Sequence, residues 1–462
     1  MKMKALSGMR VAFKGKVVKA TRAALLAQVA LLARAVLLVA LVPSAALAYE
    51  DQVVRVGPPR PHPVLIRDAT IHTMTAAGTL EHADLLIRAD GKIEAIGHSL
   101  SAPASAEVID AAGRPVTPGL FGGVGRLGIE EIGLEPTVDD YSLKLGSMRP
   151  EFDVTQAFNP DSVVLGVSRL GGITFAMVAP SAEPGGKSAG GTLIAGQGSI
   201  ARLDGSLVPA AHALFVAIGG DANALSGGSR AAQFMLLSQA FTEVRSPKSI
   251  LTGDIRVLTP AGRQALQTYL DSGAPIVFEA DRVSDIRQVI AFAQKEKVHV
   301  AIRGGAQAWR VAAELAAAHV PVILNPLDDL PESFDSVGAT LENAARLNSA
   351  GVKVAFSFDD PEPHNIRRIR QAAGIAVAHG LPWEAALAAM TRNPAEIFGV
   401  TAGNGSLERG RSADLVLWSG DPLEVTTLAD RVFIQGEAQA MRSRQTELRD
   451  RYLSKLRANA AR

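Results

Sequence analysis

Two features of the sequence predict an α/β protein built on a TIM-like (β/α)8 barrel. Apolar strand patterns alternate with amphipathic helix patterns through the second half of the chain, and β-rich segments at both ends bracket that region. A third feature is scale. The 462 residues, 47% of them hydrophobic, supply a large core and leave material for a smaller β unit beside the barrel.

The first 48 residues are of a different composition. Eight basic residues and no acid lead into the apolar run Ala35-Val-Leu-Leu-Val-Ala-Leu-Val42, and Ala46-Leu47-Ala48 then supplies the small residues of a signal-peptidase site. Arg34 interrupts the apolar stretch and leaves too short a run to span a bilayer, so a cleaved signal is expected rather than an anchor. Export to the periplasm or medium follows, with a mature start near Tyr49 and no stable membrane insertion afterwards. Loss of this segment leaves 39 basic against 46 acidic residues, a net of −7, which excludes a nucleic-acid footprint. With no cysteine, disulfides and thiol nucleophiles are excluded as well.

From Val64 to Val116 the chain reads as short strands. Val64-Leu-Ile-Arg, Ala83-Asp-Leu-Leu-Ile-Arg and Lys92-Ile-Glu-Ala-Ile are strand-like, with Asp90-Gly91 as a hairpin signal. Asp414-Leu-Val-Leu-Trp418 and Arg431-Val-Phe-Ile-Gln435 repeat the pattern near the other end, and neither set alone has enough strands to cover a sheet. Between them, Gly172 to Val178 is a buried-strand candidate. Strands at 274–278, 298–302, 320–324 and 352–356 then alternate with helices at 284–296, 306–318 and near 341–348, which predicts parallel strands with right-handed crossovers. The residues from Arg442 on predict a solvated helix.

Three motifs go further than pattern. They are Val116-Thr-Pro-Gly-Leu120, Asn393-Pro-Ala-Glu-Ile-Phe-Gly399 and Gly405-Ser-Leu-Glu-Arg-Gly-Arg-Ser-Ala-Asp-Leu-Val416. In order and spacing they resemble the amidohydrolase superfamily, in particular its imidazolonepropionase-like branch. The resemblance implies a barrel over 118–404 and a composite β-sandwich from 49–117 and 405–440, with 1–48 as signal and 441–462 as tail. It also implies a nominal class, hydrolases of non-peptide carbon–nitrogen bonds.

The family's metal ligands are where the resemblance fails. A His-x-His pair is expected after Pro-Gly-Leu on the first barrel strand, yet those positions are Val124, which has no lone pair, and Arg126, a permanent cation. The fifth-strand histidine aligns with Glu279 and the sixth-strand histidine with Gly304; the eighth-strand aspartate is kept as Asp359. None of the nine histidines forms a His-x-His or His-x-x-x-His pair. No metal and no other cofactor is therefore expected. Gly185-Gly-Lys-Ser188 lacks the leading glycine of a phosphate loop, and no Gly-x-Ser-x-Gly elbow exists.

Carboxylates left without a metal need a counter-ion, and a guanidinium forks well onto them. Arg126 is expected to pair with Asp359, Glu279 or both, with Arg303 beside it if its strand points it inward, and His364 on the loop above the last strand. Two function classes stay open. One is a degenerate enzyme whose pocket binds a small anionic molecule through Arg126, Arg303 and His364. The other is a metal-independent hydrolase of amides or lactams using Glu279 and Asp359 as general base and acid. The oligomeric state is not legible.

Overall fold

The computed structural model of the chain describes residues 62–133, 135–145, 148–183, 192–246, 256–358 and 362–460. The signal-like segment, the Gly185–Ser188 stretch and Asp359 lie outside the described residues.

One eight-stranded sheet is built from both ends of the chain. Its N-terminal strands are β1 (Val64–His72), β2 (Thr79–Ile87), β3 (Ile93–Gly97), β4 (Glu107–Asp110) and β5 (Pro115–Pro118). Gly91 turns the chain between β2 and β3 at φ +78°, and a Cβ there would meet the Gln435 carbonyl, so glycine is required where the hairpin signal stood. The C-terminal strands, numbered β14 (Leu415–Trp418), β15 (Ala429–Ile434) and β16 (Glu437–Ala438), join through β14, which runs antiparallel to β5 with Val416 opposite Thr117. Trp418 is fully buried and donates its indole N–H to Thr117 Oγ1 at 2.9 Å. The expectation that the two ends share one β unit thus holds.

The second sheet, also eight-stranded, curls into a barrel in the order β6 (Leu120–Gly125), β7 (Ile173–Val178), β8 (Ile194–Arg202), β9 (Leu207–Ala217), β10 (Ile276–Ala280), β11 (Val300–Gly304), β12 (Val322–Leu324), β13 (Val354–Phe356). The TIM-like class read from the sequence is correct, with one departure in detail. Strand β8 runs antiparallel to both neighbours. Only Leu203-Asp-Gly-Ser206 separates β8 from β9, and a parallel crossover needs on the order of a dozen residues, so the chain must double back; Gly205, at φ +93°, makes the turn.

Helices Val283–Glu296, Ala312–Ala317 and Asn343–Ser349 cover β10 to β13 near the expected places, and Arg444–Ala460 forms the exposed tail helix. Alternation sorts the strand residues into two layers. Ile276 and Phe278, or Val300 and Ile302, pack with the helices; Val277, Ala301, Ile323 and Ala355 pack with Phe121, Val124, Phe175 and Phe215 inside the barrel. Among the described residues, no backbone ladder spans the seam between β6 and β13. There Ser357 Oγ accepts from the Val124 N–H at 3.0 Å and donates to the Val124 carbonyl at 3.3 Å.

Candidate functional site at the barrel mouth

The parallel strands end together at one face, where the chain leaves each strand in an irregular loop and side chains can converge. Arg126 follows β6 directly. Its guanidinium donates to Glu130 Oε2 at 3.2 Å and lies 3.5 Å above the Tyr141 ring, so one cation is held by a carboxylate and an aromatic face at once. Glu130 is buried, 4% exposed, and burial raises its carboxyl above the usual range, a shift that Arg126 opposes and that Asp139 and Glu362 reinforce.

Glu279 and Arg303 occupy matching positions on the parallel strands β10 and β11. Both line a small recess with Pro180, Ala182, Ala195 and Phe215, so Arg303 does turn toward the barrel axis. Glu279 is exposed. His364 lies beyond β13, its Nδ1 3.7 Å from Glu362 Oε2, and the influence of Glu362 on Glu130 puts this pair on the same side of the mouth as Arg126.

The Glu279 half of one expectation is corrected: among the described residues no ion pair joins Arg126 to Glu279, and the carboxylate it holds is Glu130, while the other expected partner, Asp359, lies outside the described residues. The reason is local. The turn after β6 brings the Ile129 and Glu130 N–H groups onto the Arg126 carbonyl, which folds Glu130 back beside the guanidinium. The Arg126-x-x-x-Glu130 spacing was a sequence signal for this pair. A second charged cluster on the rim carried none: Arg230 binds Asp285 at 2.9 Å and also Asp335, whose Oδ2 accepts from the Gly220 N–H, anchoring the 325–342 loop to the end of β9.

Among the described residues no three histidine, aspartate or glutamate side chains converge on a metal-sized point. At the end of β11, Gly304 has φ +87°, and a Cβ on it would lie 2.6 Å from Asp281 Oδ1; Gly305, at φ +69°, would press on Val322 and Ala308. Neither position accepts a ligand side chain without moving the backbone. Val124 and Arg126 contribute no donor atom to a cation.

Residues 266–440 match a family model described as the amidohydrolase family. A 113-residue stretch is 42% identical to "Amidohydrolase tasK" of Hapsidospora irregularis, covering 22% of this chain and 11% of that protein. An "Imidazolonepropionase" of Maricaulis maris is 30% identical over 176 residues, 37% of this chain and 42% of the relative. The chain thus matches less than half the length of either curated relative. A crystal structure of an amidohydrolase from Thermotoga maritima MSB8 superposes with a TM-score of 0.72 at 26% identity, covering 82% of this chain and all of that one.

Proposed function

Because this chain belongs to the amidohydrolase superfamily, in its imidazolonepropionase-like branch, we propose that it is an exported protein whose barrel mouth binds a small anionic molecule without a metal. The nominal class of the fold, hydrolysis of non-peptide carbon–nitrogen bonds, is then a heritage rather than its working chemistry. The observation that carries this reading is the backbone at Gly304, held at φ +87°, where any side chain in the place of the sixth-strand ligand would be strained. Arg126, just after the end of β6, and Arg303, on β11, supply the positive charge that a bound anion needs.

A second reading is a metal-independent hydrolase of amides or lactams, with Glu279 and Asp359 as base and acid. The exposure of Glu279 at the end of β10, with Arg303 beside it on β11, favours it, since an accessible carboxylate can reach a substrate. Elemental analysis of protein from its native envelope, run beside an amide, lactam and dipeptide hydrolysis panel, separates the readings. Metal-free, inactive protein that binds small carboxylates supports the first. Metal-free turnover that is lost in Glu279→Gln supports the second, and stoichiometric zinc would sink both.

A further inference from the structure

One large concavity of the described residues lies away from the mouth. A cavity of about 1280 Å³ opens at the opposite end of the barrel, between the starts of the strands and the ends of the helices. Pro275, His299, Pro321 and Lys353 on its wall each stand just before a strand, and Gly273, Lys297 and Ala318 each close a helix. It reaches inward to Ala301, which has no exposed surface. Ala211, Ala213, Ala301 and Ala355 all face the barrel interior, where bulky branched residues would ordinarily close the floor.

The wall is apolar within and cationic at the rim. Leu315, Val300, Val320 and Phe398 supply buried carbon surface. Around the opening stand Lys297, Lys353, His299 and His319, with Glu396 as the sole acid. Glu396 is already bonded to Lys353 at 2.7 Å, whereas Lys297 has no ion-pair partner among the described residues. Two further wall residues carry orphaned polar atoms. Tyr269 is 6% exposed, and neither its hydroxyl nor His212 Nδ1 finds a hydrogen-bond partner among the described residues. Both atoms stand on the cavity wall, where they can hydrogen-bond a polar group of a guest.

We propose that this cavity is a second binding site, for a monoanion with an apolar body such as a medium-chain or aryl carboxylate. The apolar part lies against Val300, Leu315 and Phe398, and the carboxylate meets Lys297 and the rim histidines. The helix ends carry partial negative charge, which disfavours a dianion deep in the cavity and keeps the charged group at the lysine rim. Nothing in this site depends on the mouth.

Octanoate is the probe, titrated by calorimetry into the full chain. Binding should be saturable and tighter than hexanoate by on the order of tenfold, as expected for two more buried methylenes. Octanol should bind more weakly than octanoate. Lys297→Glu should weaken octanoate on the order of fivefold, the scale of reversing one exposed charge. Ala210→Trp, placed on an exposed wall position and checked for folding by circular dichroism, should abolish binding. Acetate, a carboxylate without an apolar body, should not displace octanoate. Binding that survives both Lys297→Glu and Ala210→Trp, or that acetate displaces, or that is matched by octanol, would overturn the proposal.

Discussion

Replacing Arg126 with alanine isolates the ion pair at the mouth. The substitution leaves Glu130 buried without its cation and removes the 3.5 Å stacking on Tyr141. Breaking a fully buried pair costs about 3–5 kcal/mol, but the Arg126 side chain keeps 29% of its exposure, so part of that cost is screened. The stacking contributes about 0.5–1 kcal/mol. A total near 2 kcal/mol at pH 7 is expected. Its pH dependence is the sharper test. Burial already raises the Glu130 carboxyl above its unfolded value, and loss of Arg126 raises it further. A group whose folded pKa is raised binds more protons when folded, so its contribution to stability is full below the unfolded pKa, about 4.3 for glutamate, and falls as pH rises. The penalty of Arg126→Ala should therefore be largest at neutral pH and shrink toward the stacking contribution near pH 4. Denaturant midpoints at several pH values measure it. Glu130→Gln in the Arg126→Ala background should recover most of the loss at pH 7. A penalty that does not change with pH, or a double variant as weak as the single one, would refute the assignment of Glu130 as the arginine's partner.

Other outcomes follow from the same structure. Burial pushes the Asp414 carboxyl up to about 6, so this group costs stability as pH rises from about 4 through 6; Asp414→Asn should flatten that fall, worth on the order of 3 kcal/mol, in unfolding measured from pH 4 to 8. Trp418→Ala empties a fully buried site and removes the hydrogen bond that Thr117 Oγ1 accepts, and should cost about 3–5 kcal/mol in chemical unfolding. Val124→His with Arg126→His removes a repelling charge and adds two donors, so it should raise zinc uptake in equilibrium dialysis above that of the parent chain. N-terminal sequencing of protein from the native envelope should begin at or near Tyr49, and a start at Met1 would end the export reading.

The sequence made the barrel legible where its rhythm is regular. Around β10 to β13 the strands and helices fall within a few residues of their expected places, because each apolar run there is separated by enough chain for a helix. It was silent about the reversal at β8, since apolar strands look alike in either direction and only the shortness of Leu203 to Ser206 betrays the hairpin. At the mouth, the strand-end residues follow from their alignment with the ligand positions that the resemblance implies, and Glu279 and Arg303 do share one recess. Glu130 was overlooked because it lies in the loop after β6, where no strand periodicity applies, although its spacing from Arg126 was on view. The union of Arg230 with Asp335 joins residues separated by 105 positions, and no local pattern announces such a contact.

The seam between β6 and β13 leaves two strand edges facing each other without a shared ladder, held at Val124 by a single serine hydroxyl. Open edges invite water and foreign strands, and here each shields the other. Amide exchange in the native protein should accordingly begin at this line, with the deuterium front entering near Val124 while the paired interiors of β10 and β11 stay protected. The barrel therefore has a built-in direction of opening. Its cylinder parts lengthwise at the clasp, and Ser357→Ala would loosen the wall without removing a single residue from the apolar interior.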